Sequence, residues 1–269
     1  MPYMPLASEA GFIHVCAHRG HSVAAPENTL PAFQAAVDVG ATVLEIDVVL
    51  TRDDAIVLLH DEILDRTTNG EGRAADFDLA AIKQLDAGAW FDLAHAGTRV
   101  PTLDETLDLA RSSGVGLLIE IKERQRPDIM VDRLGSLLLA EKAEGDVLVI
   151  SFDHVSLLGL RERFPSLRTE LITHARHVDT VAIARKAGAI SVSIEWNMFH
   201  PDDAQALHDA GIAVRVSMPR PERLALRRGY GFNDEAKAIE YLRAGLIDVL
   251  LGDDADFTRT LVDAAGRST

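Results

Sequence analysis

Thr42-Val43-Leu44-Glu45-Ile46-Asp47-Val48-Val49-Leu50 is the stretch that decides the reading of this chain. It is apolar at both odd and even positions, the pattern of a strand covered on both faces of a parallel sheet. Glu45 and Asp47 interrupt it two residues apart, so both carboxylates point to one face while Ile46 and Val48 point to the other. Burying two such carboxylates side by side costs several kcal/mol unless a cation, a ligand or an ion pair compensates. The stretch is thus expected to be a buried strand that carries chemistry.

Similar apolar runs recur on either side of it. The candidate strands are Ile13–Ala17, Val43–Val48, Gly116–Ile121, Val147–Ile150, Thr169–Ile172, Ile190–Ser193, Ala213–Ser217 and Asp248–Leu251. Helical patterns fill the intervals at Thr29–Val39, Leu103–Ser112, Ile129–Glu144, Val155–Arg163, Val178–Ala187, Pro201–Ala210, Glu235–Ala244 and Ala255–Ala264. Gly40, Gly114, Gly145, Gly188, Gly211 and Gly245 stand where those helices should stop. Strict alternation of strand and helix over 269 residues predicts an α/β chain folded as one (β/α)8 TIM barrel domain spanning residues 1–269. One interval, about residues 61–99, breaks the rhythm and reads as an insertion after the second strand, with Phe77, Leu79, Ile82, Leu85 and Trp90 available to pack.

Composition narrows the function. The formal net charge of −15 repels a nucleic-acid backbone, and no Lys/Arg cluster is long enough to override it. An anionic substrate then requires a local cation and one or two basic side chains. The single Cys16 has no partner for an intrachain disulfide and falls in the first strand, where a small buried thiol is expected. Met1 to Gly11 lacks a basic start followed by a long apolar run, and no segment reaches the roughly 20 apolar residues of a membrane span. The expectation is a cytoplasmic protein with a small-molecule partner and no membrane span; the oligomeric state has no signature here.

Polar residues at the carboxyl ends of barrel strands face the active site. His18, Arg19, Glu45, Asp47, Glu120 and Lys122 all fall at or near such ends, and His60-Asp61 closes a further apolar run. Glu120 adds a third oxygen to Glu45 and Asp47, a donor set suited to Mg²⁺ or Ca²⁺. Carboxylates paired with Arg or Lys in a purely structural role are the alternative. His18 and His60 bracketing the acidic pair supply a general acid and a general base, and Arg19 a guanidinium for phosphoryl oxygens, which together suit phosphodiester cleavage. His14, His21, His95, His154, His174, His177, His200 and His208 are expected to be surface or helix-packing residues.

His18-Arg19-Gly20, Pro26-Glu27-Asn28-Thr29, Glu45-Ile46-Asp47-Val48, Thr51-Arg52-Asp53, His60-Asp61, Arg66-Thr67-Thr68-Asn69-Gly70 and Glu120-Ile121-Lys122 follow one another in an order and spacing that resemble the glycerophosphodiester phosphodiesterase family. The resemblance implies the barrel with its insertion, a metal held by Glu45, Asp47 and Glu120, acid/base work by His18 and His60, phosphate contact by Arg19 and support from Lys122. It also implies release of an alcohol and glycerol 3-phosphate, with a neighbouring substrate hydroxyl attacking first to give a cyclic phosphate that water then opens. Where the family commonly carries a Trp-Thr-Val-Asn-like segment at the seventh strand, this chain has Val214-Arg215-Val216-Ser217, then a basic loop through Arg220, Arg223, Arg227 and Arg228. Arg215 and Trp196 are therefore expected to line the alcohol pocket, with Arg215 needing an anionic or multiply hydrogen-bonding partner in the ligand or, alternatively, an acid elsewhere in the chain. A sugar phosphodiester substrate, a lyase that stops at the cyclic phosphate, and a catalytically silent phosphate-binding barrel are the competing readings.

Overall fold

The computed structural model describes residues 3–268. Eight parallel strands close into a barrel: β1 (His14–His18), β2 (Val43–Leu50), β4 (Gly116–Ile121), β5 (Val147–Ser151), β6 (Thr169–Thr173), β7 (Ser191–Glu195), β8 (Ala213–Ser217) and β9 (Val249–Gly252), with β1 paired to both β9 and β2. The TIM barrel expectation is met, and each expected strand lies within a few residues of an observed one. A ninth strand, β3 (Ile56–Leu58), runs antiparallel to the far end of β2, pairing Val48 with Leu58 and Leu50 with Ile56. It is a hairpin extension, three residues long, too short for period-two alternation to register in the sequence. Asp54, in a left-handed conformation at φ 58°, and a hydrogen bond from Thr51 N–H to the Ala55 carbonyl make the turn.

Parity along the strands sorts the core into two layers. Cys16, Val43, Leu118, Leu148, Ile150, Ile172, Val249 and Leu251 fill the barrel interior together with Tyr3. The alternate residues, among them Leu44, Ile46, Val48, Leu117, Ile119, Val214 and Val216, pack outward against the helices. Glu45, Asp47 and Glu120 share the parity of Val43 and Leu118, so they continue the interior column toward the carboxyl end of the barrel.

Helix ends follow their local chemistry. Thr29 caps the helix Leu30–Asp38, and Thr102 and Glu105 form a reciprocal capping box on Leu103–Ser113, which stops at Gly114 in a left-handed conformation. Two expectations need correction. The basic stretch after β8 is not only a loop: Pro221–Arg228 is a helix, started by Pro221 and continued by residues of high helix propensity. In the insertion, Phe77, Leu79, Ile82 and Leu85 pack with Leu64, Ala74, Ala87 and Val100 against the β2–β3 hairpin, but Trp90 stays 40% exposed with its indole N–H donated to the Ala87 carbonyl at 2.9 Å.

Candidate active site

The carboxyl ends of the strands open into a cavity of about 1250 Å³. His18, Arg19, Glu45, His60, Glu120, Lys122, Trp196 and Arg215 line it, and Asp47 lies fully buried beneath. β2 delivers Glu45 and Asp47, and β4 delivers Glu120, which stands opposite Asp47 in the strand register. One carboxylate oxygen from each of the three lies within 4.8 Å of the others.

Three buried carboxylates at this spacing repel one another, and the proton affinities record it. Burial and the adjacent Asp47 push Glu45 up to about 7, and the same two causes raise Glu120. Burial acts to raise Asp47 as well, but Lys122 and Arg19 outweigh it and hold that carboxyl below its usual range. Lys122 Nζ stands 2.6 Å from Glu120 Oε1 and 3.3 Å from Asp47 Oδ1; Arg19 Nε is 3.2 Å from Asp47 Oδ2, and Arg19 Nη1 donates to Glu27 at 2.9 Å. Asp47 Oδ1 is nonetheless buried without a hydrogen-bond partner. An orphaned carboxylate oxygen in an all-oxygen cluster matches the chemistry of a hard divalent cation.

Two histidines flank the cluster, each tied by one ring nitrogen to an aspartate. His18 Nδ1 meets Asp253 Oδ1 at 2.5 Å, leaving Nε2 3.9 Å from Glu45 Oε2. His60 Nδ1 meets Asp61 Oδ1 at 2.7 Å. Both aspartates are backed by arginines, Asp253 by Arg220 and Asp61 by Arg66, which also clasps Glu27. The two rings diverge in basicity. Burial works to lower His18, but the Asp253 hydrogen bond and Glu45 outweigh it and the ring is raised; for His60 burial prevails and the ring is lowered.

Arg215 faces inward, between Val214 and Val216, which pack outward against the helices. It projects into the barrel, only 3% exposed, with Nε and Nη2 both 2.7 Å from Glu170 Oε1, while Ser191 donates to Glu170 Oε2 at 2.7 Å. Its acidic partner is thus supplied by β6, across β7, so the ligand is not required to supply one. Trp196 is buried, donating its indole N–H to Asp234 at 2.9 Å and lying parallel to Phe199. His174 is exposed, as read, and also lines the cavity, stacking on Phe152 and pairing with Glu195; His14 is buried beside Tyr3 in the first strand.

Sequence reasoning missed Asp253, which follows β9 directly. Its signal was available, since a carboxylate just past the end of a barrel strand faces the mouth. Asn28 was noted only within a motif; its side chain turns out to bind Asp47.

Comparison with known proteins adds a direct finding. The model of the glycerophosphoryl diester phosphodiesterase family matches residues 18–256. A glycerophosphodiester phosphodiesterase of Caldanaerobacter subterraneus subsp. tengcongensis is 40% identical over 180 residues, 66% of this chain and 74% of that one. Another, of Bacillus subtilis (strain 168), is 31% identical over 216 residues, 74% of this chain and 73% of that one. Among solved structures, a phosphodiesterase from Oleispira antarctica in complex with the product sn-glycerol-3-phosphate superposes with a TM-score of 0.81 at 26% identity, covering 95% of this chain and 99% of that one.

Proposed function

This chain belongs to the glycerophosphoryl diester phosphodiesterase family, and from that premise we propose that it hydrolyses glycerophosphodiesters to an alcohol and glycerol 3-phosphate by two-histidine catalysis beside a divalent cation. The observation that carries the reading is the pair of aspartate-tethered histidines on either side of a buried three-carboxylate cluster with one orphaned oxygen. Glu45, Asp47 and Glu120 would hold Mg²⁺ or Ca²⁺. When bound, the cation supplies positive charge for a phosphoryl oxygen and offsets the carboxylates' repulsion.

The side chains divide the proton work. With Nδ1 engaged by aspartate, each ring keeps Nε2 for transfer, the orientation a general acid or base needs. The lowered His60 is the better resting base and takes the proton of the attacking substrate hydroxyl; the raised His18 keeps its proton for the departing alkoxide. The new P–O bond forms as the bond to the alcohol breaks, giving a cyclic phosphate and a free alcohol. Water then opens the ring with the histidine roles exchanged, so protons balance over the cycle. Arg19 and Lys122 line the cavity and would give guanidinium and ammonium donors to the non-bridging oxygens. Trp196, which lines the same cavity, is the candidate for contact with the alcohol, while Arg215 is held by Glu170.

Turnover of a panel of choline, ethanolamine, polyol and sugar glycerophosphodiesters, followed by phosphorus NMR with Mg²⁺, Ca²⁺ or chelator, tests the reading. Glycerol 3-phosphate is the expected end product, and chelator is expected to abolish it. Accumulation of cyclic phosphate alone would mark a lyase, and no turnover with any diester a silent barrel. Full activity in chelator, with no metal retained, would remove the cation.

A further inference from the structure

The carboxylate that carries the orphaned oxygen is held from behind. We infer that Asn28 is a positioning residue for Asp47, fixing one carboxylate oxygen so that the other is presented to the cation; this rests on the reading of Glu45, Asp47 and Glu120 as a cation site. Asn28 Nδ2 donates to Asp47 Oδ2 at 2.8 Å, and Asn28 Oδ1 accepts the Asp47 backbone N–H at 3.1 Å. Both ends of one amide are therefore spent on a single residue of β2. Asn28 is 3% exposed and both hydrogen bonds are buried, so water competes little for either.

The backbone around Asn28 is shaped for this contact. Its φ is 55°, a left-handed conformation that asparagine tolerates better than most residues, and its N–H donates to the Arg19 carbonyl at 3.0 Å. Arg19 is left-handed too, at φ 59°, and its N–H reaches Glu45 Oε2 at 3.2 Å. One loop between β1 and the following helix thus braces two of the three candidate ligands. Helix capping does not account for the Asn28 side chain, because Thr29 performs it, accepting from Ala32 N–H.

The clamp decides which way the Asp47 carboxylate points. Lys122 lies 3.3 Å from Oδ1 and Arg19 Nε 3.2 Å from Oδ2, so an unclamped carboxylate is free to rotate into a closer ion pair with either. Such a rotation removes a ligand without moving the strand. Residues that hold a ligand from behind typically contribute roughly 10- to 100-fold in metal affinity.

The test uses the whole chain, stripped with chelator and titrated with Ca²⁺ by calorimetry, with the melting temperature read before and after Ca²⁺. Asn28→Gly is the informative variant, since glycine adopts a positive φ without steric cost and only the amide is lost. Asn28→Asp keeps the shape but sets an oxygen against Asp47 Oδ2, and it decides the matter if the glycine variant does not fold. Both are expected to raise the Kd for Ca²⁺ roughly 10- to 100-fold and to shrink the Ca²⁺-induced rise in melting temperature, over and above the fall in the metal-free value that two lost buried hydrogen bonds bring. A Kd equal to or tighter than wild type in the deciding variant overturns the inference, as does a metal-free melting temperature that falls while the Kd holds. Absence of Ca²⁺ and Mg²⁺ uptake by the wild-type chain removes the cation reading itself, an outcome distinct from failure of Asn28 alone.

Discussion

Removing the Glu170 carboxylate is expected to expose how the barrel tolerates a charge in its interior. Glu170 on β6 is fully buried, Arg215 on β8 nearly so, and Ser191 on β7 completes the link, so one carboxylate ties three consecutive strands. Glu170→Ala leaves the guanidinium without its hydrogen-bonded carboxylate. Breaking one side of a buried pair in this way costs about 3–5 kcal/mol. Because Arg215 also lines the cavity, water reaches part of it, which places the expected loss near the lower end, about 3 kcal/mol. Against a total stability of about 5–15 kcal/mol that is readily measured by urea unfolding followed by circular dichroism. The double variant Glu170→Leu with Arg215→Met is expected to lose much less than the sum of its parts, since the desolvation cost leaves with the charges. A loss below about 1 kcal/mol for Glu170→Ala would refute the reasoning. The same pairing sets the functional expectation for Arg215→Ala: similar losses on choline, ethanolamine and polyol diesters. A selective loss of about 1–3 kcal/mol on polyols alone would restore the guanidinium to direct contact with the alcohol.

Two further outcomes follow from the tethered rings. His18→Ala and His60→Ala are each expected to lower turnover by ~10²–10⁴-fold with little change in Ca²⁺ affinity, and near wild-type turnover in His60→Ala would end the two-histidine mechanism. Away from the site, the Asp248 hydrogen bond raises His208, so this pair adds stability that is fully present below about pH 6.5 and lost as pH rises through the folded value. His208→Gln is expected to flatten the melting profile above that pH, and an unchanged profile would show that the pair contributes nothing.

The interior-facing chemistry was legible because parity is local: Glu45 and Asp47 announce their common face within three residues, and the rhythm of apolar runs fixes the barrel around them. What escaped depends on contacts that sequence neighbours do not encode. Asp253 reaches His18 across 235 positions, and Glu170 reaches Arg215 across 45. Those pairings exist only once the barrel closes β9 onto β1 and brings β6, β7 and β8 side by side. Trp90 illustrates the converse, since its apolar character suggested burial while a local carbonyl and an exposed position satisfy it instead. The helix Pro221–Arg228 was obscured by its own arginines, whose charge drew attention from their helix propensity.

Charge explains why a site of this kind is workable in so acidic a chain. Beyond about 8 Å at physiological ionic strength the −15 of the whole protein is largely screened, so a phosphodiester in the cavity responds mainly to the groups nearest it. There, three carboxylates face two fixed cations, Arg19 and Lys122, and the fully ionised cluster is left anionic. Without a metal, the least costly remedy is a proton, which is what the raised Glu45 and Glu120 express. A proton neutralises one carboxylate but adds no positive charge for the phosphate beyond Arg19 and Lys122. A divalent cation held by the three carboxylates would displace the proton and reverse the local sign, with charge remaining for a phosphoryl oxygen. On the proposed reading, the repulsion within the carboxylate cluster and its capacity to take an anionic substrate would have a single origin: the packing of three acids at a distance that a divalent cation would relieve.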